Sequence, residues 1–224
     1  MREVIERMFL QQRFNEHMVK KYLFEKFKRA LIGEIKIYRT PIGDRIVIAC
    51  ARPQVIIGRK GATLRKIAND LKEKFNLENP QIDVKEVENP NLEPLIVATR
   101  IANRLARWGP KRFRKIAAMA LDEVMSAGAR GVEISMAGKL PGERGKKWKF
   151  KKGYIPKCGE AAIFGVKEAF VDITLPPGNY GIRVKILPPD VRMPDEIIIK
   201  EVPLEELGEK VEKVEEKDEG NRES

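Results

Sequence analysis

The chain has 224 residues, 42% of them hydrophobic, which is enough apolar material for two small domains with their own cores and excludes a disordered chain. Lysine and arginine outnumber aspartate and glutamate by 44 to 33, a formal net charge of +11 that points to a polyanionic partner. The two cysteines, Cys50 and Cys158, have no metal-site spacing and suit reduced thiols, Met1–Arg7 has no apolar signal core, and no run of about 18 apolar residues is present to span a membrane.

Val19, Tyr22, Leu23, Phe27, Ala30 and Leu31 recur at helical spacing, which predicts a helix over 15–31 stopped at Gly33. Two short strands follow, carried by Ile35 and Ile37 and by Ile46 and Ile48, with Thr40-Pro41-Ile42-Gly43-Asp44 as the turn. Pro53 opens a short helix that ends at Gly58. Leu64, Ile67, Ala68, Leu71 and Phe75 then line one face of a second helix, with Arg65, Lys66 and Lys72 outside. Ile82, Val84 and Val87 suggest a third strand. This order describes a three-stranded sheet covered by helices.

Residues 89–94, Asn-Pro-Asn-Leu-Glu-Pro, read as a linker between a domain over 1–88 and a second over 95–190. Leu95, Ala98, Ala102 and Leu105 give a helix closed by Gly109-Pro110. Ile116, Ala117, Ala120, Leu121 and Val124 give another, closed at Gly128. Val132, Ile134 and Met136 alternate as a strand, and residues 138–153 read as a loop rich in glycine and lysine. Val171, Ile173 and Leu175, then Ile182, Val184 and Ile186, make a hairpin through Pro176-Pro177-Gly178-Asn179. The second domain is therefore expected to be two helices on a mostly antiparallel sheet, and the fold class α+β. Residues 191–224 are an extension with an acidic tail, of net charge −5 from Glu205 to Ser224, in which Leu204, Leu207, Val211 and Val214 keep helical spacing.

Three stretches carry chemistry. The first is Gly58-Arg59-Lys60-Gly61 between two predicted helices. Glycines let the backbone approach something bulky, and cations at a helix N-terminus favour an anion. A Walker A loop needs four residues between its glycines and a following Lys-Ser/Thr, which this stretch lacks. The second is Lys111-Arg112-Phe113-Arg114-Lys115, four cations that repel one another in isolation and are favoured beside phosphates. In the third, Trp148 and Phe150 are interleaved with Arg144, Lys146, Lys147, Lys149, Lys151 and Lys152. Alternation from 147 to 151 would put the aromatics on one strand face and the lysines on a phosphate track. From Asn103 to Lys152 the net charge is +10. No metal-ligand cluster stands out, the only histidine is His17, and no catalytic residue, metal or cofactor is expected.

The helix-strand-strand-helix-loop-helix-strand order around the glycine loop resembles the type II KH domain, a single-stranded RNA binder. The resemblance implies that Gly58, Arg59, Lys60 and Gly61 clamp a nucleic-acid backbone, with Val55, Ile56, Ile57 and Leu64 as candidate neighbours of the base groove and Arg65 and Lys66 beside it. The runs Ser126–Glu133, Ala137–Leu140 and Gly181–Ile186 are similar to the carboxyl domain of the small-subunit ribosomal protein S-three family. The form Leu140-Pro141-Gly142-Glu143-Arg144-Gly145-Lys146-Lys147-Trp148-Lys149-Phe150 and the acidic tail resemble its archaeal and eukaryotic branch.

That resemblance implies a non-enzymatic structural protein of the small-subunit head, a cytoplasmic monomer within the ribosome. Its implied partners are small-subunit rRNA, mRNA in the entrance channel and neighbouring head proteins, with no membrane. It also implies a part in unwinding structured mRNA through basic residues on the second domain's helix, here Arg114 and Lys115. Where bacterial members have a further cation one turn on, this chain has Ala118, and Lys111 and Arg112 stand one turn earlier. The alternatives are a stand-alone KH-type regulator and an enzyme cutting nucleic acid.

Overall fold

The computed structural model describes residues 2–191 except Pro41, Ile42, Asn76, Glu78, Pro141 and Pro177, together with Met193. Met1–Val191 form one compact unit, separate from the residues that follow. The helical spacing expected at Leu204, Leu207, Val211 and Val214 lies outside the described residues.

The chain opens with α1, Arg2–Lys26, followed by a turn of 3-10 helix at Lys28–Ala30. The helix expected over 15–31 thus starts much earlier and ends at Lys26, and Gly33 lies inside the first strand rather than stopping the helix. The early start left no periodic signal because none of the residues from Glu6 to Met18 is buried. Met8, Phe9, Leu10 and Phe14 are all exposed, and burial begins at Val19 and Leu23.

Strands β1, Ile32–Thr40, and β2, Gly43–Cys50, pair antiparallel, with Ile35 opposite Ile48 and Ile37 opposite Ile46. Strand β3, Gln81–Glu86, then runs parallel to β2. A parallel neighbour requires a crossover. The crossover here is α2, Pro53–Ile57, the glycine loop, and α3, Ala62–Phe75. The core of this domain gathers Val19, Leu23, Phe27, Ile35, Ile46, Ile48, Ile56, Ile67 and Leu71. Glu34, Lys36, Tyr38 and Arg45 occupy the opposite, exposed face of the sheet, so the helices cover one side only.

The second domain begins with α4, Pro94–Trp108, whose first residue is a proline, where the missing N–H costs nothing. Gly109 ends it at φ 79, its N–H donating to Leu105 O at 2.9 Å. A 3-10 turn, Pro110–Arg112, reverses the chain into α5, Phe113–Ser126. Strands β4, Gly131–Gly138, β5, Lys146–Gly153, β6, Lys167–Leu175, and β7, Gly178–Leu187, form one antiparallel sheet in the order β5-β4-β7-β6. The stretch read as a loop over 138–153 is therefore a loop only to Gly145. From Lys146 it is an edge strand, and the alternation seen from 147 to 151 is its real pleat. β5 and β6 are consecutive in sequence yet sit at opposite edges, joined by residues 154–166 with a five-residue π-helical turn at Ala161–Gly165. Ile101, Leu105, Phe113, Ile116, Val124, Ile134, Val184 and Ile186 are central to this core, with Trp148 and Phe150 packed against it.

Candidate nucleic-acid interface

Gly58 has φ 70 and ψ −175, a combination open essentially only to glycine. A Cβ there would fall 2.1 Å from Thr63 Oγ1, so the first helical turn of α3 closes against the loop. Gly61 has φ 73 but open space where a Cβ would stand. Between them Lys60 takes a left-handed conformation, φ 52 and ψ 29, unusual for a residue with a side chain. This path leaves Arg59 and Lys60 exposed at the approach to the N-terminus of α3, where the positive end of the helix dipole favours an anion. Arg65 and Lys66 are exposed on α3, and none of these four cations is ion-paired among the described residues.

Of the expected groove neighbours, Ile56 is fully buried core, Leu64 is half-buried, and Val55 and Ile57 are exposed. Gly58→Ala is expected to destabilise the chain by about 2 kcal/mol or more, from backbone strain plus the Thr63 clash, and Gly61→Ala by about 1 kcal/mol, from strain alone. Urea midpoints check the order, and equal losses would contradict it.

The second cluster sits on the α4–α5 hairpin. Lys111 and Arg112 lie on the 3-10 turn, Arg114 and Lys115 on the first turn of α5, and all four are exposed. Between them Phe113 is 2% exposed and anchors the corner. Its ring meets Trp148 at 5.5 Å and Phe150 at 6.2 Å. Trp148 is held in turn by its indole N–H, which donates to Leu140 O at 2.9 Å. The Arg114 guanidinium lies 5.0 Å from the Trp148 ring centroid and 5.7 Å from that of Phe113. Stacking of this kind holds a planar cation without using its hydrogen-bond donors. Arg114 is thus aimed in advance and still free to bind phosphate. Two cations at a helix N-terminus oppose the helix dipole at about 0.3–1 kcal/mol each. That arrangement weakens the fold slightly and concentrates positive potential. No acidic residue occurs between Glu93 and Asp122, so the potential is uncancelled along the sequence.

Strand β5 divides its cations. Trp148 and Phe150 face the helices, and Lys147, Lys149 and Lys151 alternate to the other side of the sheet. Lys152 shares the helix side and pairs with Asp122 at 2.7 Å. Arg144 and Lys146 are exposed just before and at the strand's start. The structure therefore brings the α5 cations and β5 together through the Arg114–Trp148 stack. It does not place all the lysines of β5 on one surface.

Lys151 is partly engaged, 3.9 Å from Glu133. Glu133 is 5% exposed on β4, and its close partner is Lys157, which no sequence signal linked to it across 24 residues. Burial pushes the Glu133 carboxyl up, but the hydrogen bond and charge of Lys157, with the charges of Lys151 and Lys149, outweigh it and hold it below the ordinary value of 4.5. A depressed folded pKa contributes stability above about pH 4.5 and loses it as pH falls through the folded value. Lys157→Ala is expected to move the acid-unfolding midpoint to higher pH, followed by circular dichroism. An unmoved midpoint would remove the pair from the account.

Among the described residues no group of three or more His, Cys, Asp or Glu is placed to hold a metal, and no helix is long and apolar enough to cross a membrane. His17 is exposed on α1. Cys50 is buried, which pushes its thiol up, Cys158 is exposed, and both are free.

Residues 18–92 match the family described as KH domain, and residues 101–186 the family described as Ribosomal protein S3, C-terminal domain. A protein of Methanosphaera stadtmanae named small ribosomal subunit protein uS3 is 41% identical over 208 residues, covering 93% of this chain and 82% of its own. Its namesake in Methanothermobacter thermautotrophicus is 42% identical over 192 residues, 86% of this chain and 74% of that one. The Methanococcus maripaludis protein of the same name is 40% identical over 206 residues, 92% and 97%. With both domains matched in order and such identity along most of its length, the chain belongs to the uS3 family of small ribosomal subunit proteins.

Proposed function

We propose that this chain is a structural, RNA-binding component of the small ribosomal subunit, docked on rRNA in the head of a cytoplasmic ribosome and lining the mRNA entrance. There it holds single-stranded mRNA by its phosphates through Lys111, Arg112, Arg114 and Lys115 and the cations of β5. The glycine loop, with Arg59, Lys60, Arg65 and Lys66, binds a second RNA backbone. The observation that carries this reading is Arg114, stacked on Trp148 and Phe113 with its donors unspent, beside three further exposed cations.

The role is non-catalytic. Phosphate contacts position a strand without reading its bases. A held single strand does not re-pair, so the translocating ribosome opens a hairpin and this surface keeps it open. Arg114→Ala with Lys115→Ala is expected to leave assembly intact and slow the passage of reconstituted ribosomes through mRNA hairpins, with no effect on unstructured mRNA. Passage through hairpins at the rate of the unsubstituted chain would reject the assignment.

A further inference from the structure

The chain has two tryptophans, and the structure gives them opposite surroundings. Trp148 is half-buried, its N–H donates to Leu140, and its ring is covered by Phe113 and Arg114. Trp108, the last residue of α4, is 36% exposed and lies outside the packed core of its domain. Among the described residues its indole N–H has no hydrogen-bond partner, and its ring stacks on no other ring or cation.

Tryptophan carries the largest apolar face of any side chain, and the exposed third of this one is left without a hydrogen-bond or ring partner among the described residues. Its setting is equally specific. Arg107 precedes it, Gly109-Pro110 turns the chain, and Lys111 and Arg112 follow, all three cations exposed and none ion-paired among the described residues. Within residues 94–121 there are seven cations and no carboxylate. The two that find a carboxylate partner, Arg100 and Arg104, meet Glu123 at 3.1 and 2.5 Å, about two turns and one turn before Trp108 on α4.

An indole about one-third exposed, with unpaired cations on either side of it in the chain, fits a ligand that is itself a flat ring on an anionic chain. Lysine is depleted at the core of a protein interface, whereas an unpaired nucleotide on its phosphate chain offers a partner to the ring and to all three cations. Resting on the single-stranded RNA reading above, we propose that Trp108 is a stacking platform for one unpaired base, with Arg107, Lys111 and Arg112 holding the flanking phosphates. It would grip a strand without preference for sequence, because every base has a π-face, and it would reject duplex RNA, whose bases are already stacked.

The test uses the full chain with a single-stranded oligouridine and a duplex RNA of equal length. Tryptophan emission is expected to be quenched by the single strand and not by the duplex, and the single-strand quenching to fall sharply in Trp108→Phe, which keeps a stacking ring and most of the affinity and leaves only the Trp148 signal beside Arg114. Trp108→Ala is expected to lose roughly tenfold or more in single-strand affinity, with the salt dependence unchanged because no phosphate contact is lost. Thermal unfolding of both variants checks that the fold is kept. Salt-dependent binding that Trp108→Ala leaves at full strength overturns this inference and spares the reading beneath it. Full-strength RNA binding combined with weaker incorporation of Trp108→Ala into subunits overturns it too, and makes Trp108 a protein contact. A wild-type chain that ignores single-stranded RNA overturns both.

Discussion

Replacing Lys111, Arg112, Arg114 and Lys115 together by alanine will lower the affinity for single-stranded RNA by about two to three orders of magnitude near 0.1 M salt. The estimate follows from counterion release. Each phosphate contact contributes about 0.7 to the slope of log affinity against log salt on a single strand, so four lost contacts flatten the slope by roughly 3. The fold will not suffer. All four side chains are exposed, and Arg114 and Lys115 stand at the unfavourable end of the α5 dipole. Their removal relieves about 0.3–1 kcal/mol each. The signature is therefore a variant that binds far more weakly and melts at the same or a higher temperature. A variant that melts earlier with an unchanged salt slope would mean that these cations support the structure and not the ligand.

Phe113→Ala will destabilise the chain by about 3–5 kcal/mol, the usual cost of truncating a buried phenylalanine. The residue is 2% exposed and closes the corner where α4, α5 and β5 meet. Its loss strips Trp148 and Phe150 of a ring partner and leaves Arg114 stacked on Trp148 alone. RNA affinity falls as well, by less than the four-cation variant loses, because the charges remain while their aim is blurred. Phe113→Leu, closer in volume, will cost about 1.5 kcal/mol or less. Urea denaturation resolves the two. A loss below about 1 kcal/mol for the alanine variant would contradict the packing described.

The first domain was almost wholly legible in the sequence because its signals are local. Ile35, Ile37, Ile46 and Ile48 alternate across a turn, Pro53 opens a helix, and the glycines break it within a few residues. What escaped was the first half of α1, whose Met8, Phe9, Leu10 and Phe14 face solvent and leave no amphipathic period. In the second domain the strand pleat of Trp148 and Phe150 was visible, but the pairing of β5 with β4 was not, since nothing local says which strand is its neighbour. The same holds for the crossover through residues 154–166, which carries the chain from one sheet edge to the other.

The candidate interface divides along the same line. Clustered charge is a property of sequence, and Arg59, Lys60, Lys111, Arg112, Arg114 and Lys115 are all exposed where sequence put them forward. Orientation is a property of packing. Only the structure shows Arg114 laid on Trp148, Lys151 leaning toward Glu133, Lys152 paired with Asp122, and the lysines of β5 split between two faces. Lys157 and Trp108 were passed over because one pairs across 24 residues and the other reads as an ordinary helix end.

Protein–RNA crosslinking in intact small subunits, with the linked peptides mapped to single residues, tests directly whether these cations lie on nucleic acid. RNA attached within Gly58–Lys66, Lys111–Lys115 and Arg144–Lys152 is the expected result. All three segments free of RNA, with crosslinks confined to other parts of the chain, would contradict the account.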